Sequence, residues 1–180
     1  AQGAHVNFSK RNIDIEFKQT SVGENFHAET GYVRRRNYIL LNPEIRYSFI
    51  PNKKVVSHGP YIDMEGYYFM GFDELDHVIE LGYNVEFEGK TTLSTGMSDI
   101  YVRLMEDFDP THASDKYLIA GTTYRYKQWY TEFTTSPRHP LNGSLMYAKG
   151  GFYSGNVDVV QANMVYRYQP FINLSLNAIY

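Results

Sequence analysis

The sequence predicts an all-β chain, an antiparallel up-and-down meander of about ten strands that forms a transmembrane β-barrel or a segment of a larger one. Three observations predict it. Apolar and polar residues alternate with a period of two in segment after segment, which sends successive side chains to opposite faces of a strand. The connections fall into two alternating sets of different length. No apolar run approaches the ~20 residues that a membrane helix needs, so any membrane span must be built of strands.

The chain opens with His5–Ser9 and Asn12–Thr20 around Lys10-Arg11, and in the second segment Ile13, Ile15 and Phe17 alternate with Asp14, Glu16 and Lys18. After the irregular stretch Ser21–Arg36, the segment Tyr38–Phe49 sets Ile39, Leu41, Ile45, Tyr47 and Phe49 against Asn42, Glu44 and Arg46. Pro43 falls on the apolar side and removes a ladder bond, which predicts an edge strand or a bulge. Pro51 to Pro60 reads as a connection. Ile62–Phe72 alternates Ile62, Met64, Tyr68, Met70 and Phe72 with Asp63, Glu65 and Tyr67. Asp73–His77 then reads as a turn into Val78–Glu88, where Ile79, Leu81, Tyr83, Val85 and Phe87 oppose Glu80, Asn84, Glu86 and Glu88.

Beyond Gly89-Lys90, Thr92–Leu104 carries Leu93, Thr95 and Met97, then Ile100, Val102 and Leu104. The parity flips near Asp99, which predicts a bulge. The long stretch Met105–Thr122 leads to Thr123–Thr135, whose faces are poorly sorted. Ser136–Pro140 turns into Leu141–Lys149, and Gly150–Asn156 turns into a closing hairpin. There Val160, Ala162, Met164, Tyr166 and Tyr168 take one face, with Asp158 as a polar exception. Ile172, Leu174, Leu176, Ala178 and Tyr180 continue that face past Gln169-Pro170.

In a meander, odd and even connections lie at opposite ends. Lys10-Arg11, Pro51–Pro60, Gly89-Lys90, Ser136–Pro140 and Gln169-Pro170 share one end, and all but one are short. The other end receives both long stretches. Outer-membrane barrels have short periplasmic turns and longer external loops, which a soluble barrel has less reason to reproduce.

The 180 residues suffice for one domain, residues 1–180, with a real core. Seventeen Tyr against one Trp suit both strands and lipid–water boundaries, though a soluble Tyr-rich sheet has the same composition. A formal net charge of −3 supplies no basic field for nucleic acid. The absence of cysteine excludes disulfides and thiolate chemistry. Ala1-Gln2 reads either as a mature N-terminus after cleavage of a leader or as an arbitrary start.

Three segments carry a family resemblance: VGENFHAETGYVRRRNY (Val22–Tyr38), EDFDPT (Glu106–Thr111) and SPRHPLNGSLMYAKGGFYSG (Ser136–Gly155). Together they resemble the C-terminal outer-membrane-type β-barrel domain, of unassigned function, in Gram-negative envelope proteins with an upstream family-9-type carbohydrate-binding module. Some of these are described as membrane-associated hydrolases. His27-Ala28 and Arg34 depart from the family pattern, and the family's barrel usually continues beyond a segment of this size. The resemblance implies an outer-membrane location, lipid and an upstream carbohydrate-binding domain as partners, and no catalytic residues to carry over. The aromatic end, Leu174, Leu176, Ala178 and Tyr180, resembles the terminal signal of outer-membrane barrels.

Candidate chemistry is sparse. Asp107, Asp109 and Asp115, in a loop that also holds Glu106 and His112, have carboxylate oxygens suited to calcium, without the glycine and distal glutamate of an EF-hand loop. A solvated loop is the simpler reading. Asp73, Glu74, Asp76 and His77 are adjacent in an extended chain and so point apart, which argues against an acid–base pair. Arg34-Arg35-Arg36 suits lipid phosphate, a solvated rim, or an Arg folded back to anchor the loop. No zinc spacing or serine-hydrolase elbow is present.

The faces therefore carry the expectation. Glu16, Glu44, Arg46, Glu65, Glu80, Glu86 and Arg167 would point to a salt-bridged interior. Ile39, Leu41, Ile45, Met64, Tyr83, Val85, Met164 and Leu174 would face lipid. The function expected is a membrane anchor or passage for an envelope protein, with no catalytic site and no cofactor in this segment. Two alternatives stand beside it, a soluble lipocalin-like barrel with the apolar face turned inward around a small ligand, and the barrel part of a membrane-associated hydrolase.

Overall fold

Alternating segments joined in series suit a single antiparallel sheet. In the computed structural model, which describes residues 1–27, 35–51, 54–110 and 117–180, ten strands follow one another. They are β1 (Gln2–Lys10), β2 (Ile13–Val22), β3 (Tyr38–Tyr47), β4 (Val55–Phe69), β5 (Glu74–Phe87), β6 (Thr92–Arg103), β7 (Thr123–Thr134), β8 (Leu141–Phe152), β9 (Gly155–Tyr168) and β10 (Ile172–Ile179). Sheet order equals chain order, and each strand pairs antiparallel with the next. A short 3₁₀ turn, Glu88–Lys90, links β5 to β6.

The sheet does not close within the described residues. β1 and β10 are its two edges, and every residue of both is exposed. The accessible surface is 12621 Å², against about 9000 Å² for a compact monomer of this mass. The only buried hydrophobic side chains among the described residues are Val22, Tyr61, Leu75 and Leu104. This is a curtain rather than a packed core.

Several boundaries differ from the sequence reading. β4 begins at Val55, so most of Pro51–Pro60 is strand. Pro60 stands inside it opposite Tyr83, because proline's fixed φ is compatible with extended chain. Glu74–His77 belong to β5, and the turn before it is Met70–Asp73. Gly150–Phe152 belong to β8. Pro43 sits in β3 between β2 and β4, not at an edge. Pairing with β4 lapses at Asn42 and Pro43, and it resumes at Glu44↔Asp63 in the register it had at Leu41↔Gly66.

The expected bulge at Asp99 is absent. β5 and β6 pair without a shift from Asp76↔Val102 to Glu86↔Thr92. The irregularities fall instead in the β4–β5 ladder, at Val55/Ser57 and at Tyr67/Tyr68.

Candidate functional site

The register sorts the side chains into two faces. Residues directly opposite each other in an antiparallel pair share a face. The run Glu16↔Glu44, Glu44↔Asp63, Asp63↔Glu80 and Glu80↔Ser98 therefore lies on one side. The run Ile15↔Ile45, Ile45↔Ile62, Ile62↔Leu81 and Leu81↔Met97 lies on the other. Glu16, Glu44, Arg46, Glu65, Glu80, Glu86 and Arg167 all fall on the first face. Ile39, Leu41, Ile45, Met64, Tyr83, Val85, Met164 and Leu174 all fall on the second. None of the second group is buried, and Ile45, Met164 and Leu174 are 44%, 47% and 60% exposed.

The charged face is cross-linked. Glu16 accepts from Lys18 at 2.8 Å and lies 2.7 Å from His5; Arg46 holds Glu44 at 2.6 Å; Lys90 holds Glu86 at 2.7 Å. Arg167 donates to the Pro137 carbonyl across the turns at the short-turn end. Hollows open on this face, one of ≈ 570 Å³ beside Arg46, Tyr61, Asp63, Glu80 and Glu132, another of ≈ 260 Å³ beside Glu16, Lys18, Asn42 and Glu44.

Its centre is a cluster that the alternation pattern alone did not single out. The hydroxyls of Tyr61 on β4 and Tyr130 on β7 meet each other and the Glu80 carboxylate, Tyr130 at 2.8 Å, and their two protons are shared among these three contacts. Ser98 adds a 3.3 Å bond to the same carboxylate. Two strands separate the tyrosines, and their rings reach across because Gly82 and Gly96 lie beneath them. A Cβ on Gly82 would come within 2.5 Å of the hydroxyl end of the Tyr61 ring, and one on Gly96 would meet Tyr130 at 2.9 Å. Isolated glycines inside two adjacent strand patterns were the available signal for this close approach.

The apolar face changes character near the long-loop end. Beyond Met97 and Trp129 the same row of positions carries Asp99 and Lys127, then Tyr101 and Arg125. Arg125 grips Asp99 in a fork, Nε to Oδ1 at 3.1 Å and Nη2 to Oδ2 at 2.5 Å. On β8 and β9, Lys149 lies 3.2 Å from Asp158, which also accepts from Tyr147 at 2.9 Å. Trp129 and Tyr147 meet edge to face just below. This band explains the parity flip at Asp99, the mixed faces of β7 and the polar exception at Asp158.

The opposite face changes in the reverse sense. There Val78, Ile100, Val102 and Tyr67, with Val22 and Phe26, line a hollow of ≈ 670 Å³. Arg35 reaches into it from the chain before β3 and bonds Asp76 at 2.5 Å, so one of the three arginines does fold back onto the sheet. Beside it Tyr153 packs with Phe108, Tyr124, Tyr126 and Phe152. Burial there, with the Asp76 carboxylate near, pushes the Tyr153 phenol above its ordinary value.

The acidic loop is not assembled as a metal site among the described residues. The Asp107 Oδ1 accepts the Ala120 amide at 2.8 Å, and Phe108↔Leu118 pairing extends the β6–β7 hairpin. No group of three or more acidic or His side chains converges there or elsewhere among the described residues. Asp115 and His112 lie outside those residues, as does Arg34. Glu74 and His77 do meet, at 2.7 Å, contrary to the expectation that they point apart. An extra residue at Leu75, where the β4–β5 register shifts, turns Glu74 to the His77 side. His77 stacks on Tyr101, and its Nε2 has no hydrogen-bond partner among the described residues.

No family model, no curated protein and no solved structure matches this chain.

Proposed function

We propose that this chain is an outer-membrane-type β-barrel, or a segment of a larger one, that anchors an envelope protein or gives it a passage. One observation supports the reading above the rest: a continuous exposed apolar face that ends at a charged band on the long-loop side. A soluble protein rarely leaves contiguous apolar surface beyond a few hundred Å² in water. Lipid satisfies such a face and water satisfies the band. β4, β5 and β9, with 15, 14 and 14 residues, exceed the 9–11 that cross a bilayer as tilted strands. On β9 the surplus carries Asp158 of the charged band.

In this reading the two open edges pair in the membrane, since hydrocarbon leaves no unpaired strand edge satisfied. The lipocalin-like alternative needs Ile45, Leu81 and Met164 to line the hollow side, whereas none of the three lines a hollow described above and all are exposed on the other face.

The test places a nitroxide at Ile45, Val85 or Met164 in lipid vesicles, with Glu44 and Glu86 as controls. Oxygen access at the first three, with a nickel complex reaching only the controls, is the expected result. Low access to both reagents at Ile45, Val85 and Met164 would mean a packed interior and end the membrane reading.

A further inference from the structure

The ≈ 670 Å³ hollow at the long-loop end has the size and wall chemistry of a small-molecule site, mostly apolar with a few convergent polar groups. Its polar end already holds a cation. The Arg35 guanidinium lies 5.1 Å from the Tyr67 ring centroid and bonds Asp76 Oδ2 at 2.5 Å. Asp76 is held in place from behind, because its Oδ1 accepts the Arg103 amide at 3.1 Å. The Tyr38 ring flanks Tyr67 at 5.5 Å, and Glu65 adds a second carboxylate to the lining. An aromatic face beside an oriented carboxylate is a cation subsite. The Arg35 side chain is 43% exposed, so it occupies this subsite from the mouth and yields it without opening a core.

We propose that this hollow binds a small amphipathic cation, with its charged head over Tyr67 against Asp76 and its apolar body along Val78, Ile100 and Val102. Arg35 is the resident competitor. With Arg35 paired to Asp76, Glu65 leaves the described lining of the polar end net negative, which favours a cationic head over a carboxylate or phosphate. The site lies on the hollow face, so the inference does not depend on what covers the apolar one.

Hexylguanidinium and hexanoate are titrated against the purified full chain, with binding read by calorimetry and by tyrosine fluorescence. Hexylguanidinium is expected to bind the wild type, to bind Arg35→Ala at least tenfold tighter, and to lose that gain in Arg35→Ala/Asp76→Asn. Unchanged far-ultraviolet dichroism controls for folding, and Arg103→Ala, which keeps its backbone amide, serves as a second control. Equal affinity in Arg35→Ala with and without Asp76 would overturn the proposal. So would absence of binding to folded Arg35→Ala, or preferential binding of hexanoate that Arg35→Ala abolishes.

Discussion

The middle of the sheet and its long-loop end use the same strands with opposite polarity. In the middle, Leu81, Met97 and Trp129 stand on the exposed face while Glu80, Ser98 and Gln128 stand on the hollow one. A few residues further along, Asp99, Lys127 and Arg125 hold the exposed face while Val78, Ile100 and Val102 hold the hollow one. The exchange happens without a bulge, so the backbone does not cause it. What each face meets changes along the strand. Alternation thus fixes which residues share a face, and height along the sheet fixes what that face must be.

The largest effect should come from a charge on the exposed apolar face. On the proposed membrane reading, Leu81→Arg is expected to cost about 2–4 kcal/mol, the value for a basic side chain at the midplane of a lipid-facing strand. Urea unfolding in vesicles measures it. The same substitution tolerated in vesicles would erase the difference between the two regions.

Gly82→Ala comes next. The added methyl collides with the Tyr61 ring, and overpacking of this kind costs about 1–3 kcal/mol. Tyr61→Ala/Gly82→Ala should cost less than the sum of its parts, because the collision is then gone. Additive costs would mean that the tyrosine does not lie on the glycine.

Tyr130→Phe removes one donor from Glu80 and leaves Tyr61 and Ser98 bonded to it. A loss of about 1 kcal/mol is expected for one hydrogen bond in a part-buried network, read from the same urea titration. A much larger loss would mean that this bond holds the reach from β4 to β7.

The smallest effect should be Asp158→Asn. Its partner Lys149 is 63% exposed, and solvent-exposed pairs contribute little. No measurable change in the unfolding midpoint is expected. A clear loss would show that the band is part of the stabilising structure rather than its wetted rim.

The faces were legible because period-two alternation records what each side of a strand meets. Glu16, Glu44 and Glu80, like Ile45, Leu81 and Met164, fall on the sides their neighbours' parity predicts. The start of β4 was not legible, since Gly59-Pro60 has turn composition while φ near −65° also suits a strand. The flip at Asp99 was visible but ambiguous, because a bulge and a change of surroundings leave the same trace. The Glu74–His77 contact was hidden because it needs the extra residue at Leu75. Tyr61, Glu80 and Tyr130 are far apart in sequence, and only pairing across β4 to β7 brings them together.

By itself, then, the sequence determined the strands, their up-and-down order and the two faces, because each depends on neighbours a few positions away. Only the tertiary structure decided which tyrosines lie over which glycines, that Arg35 returns to Asp76, and that the charges on β6–β9 form one band. Those contacts depend on register between strands, and register is a property of pairs of segments that no single segment encodes.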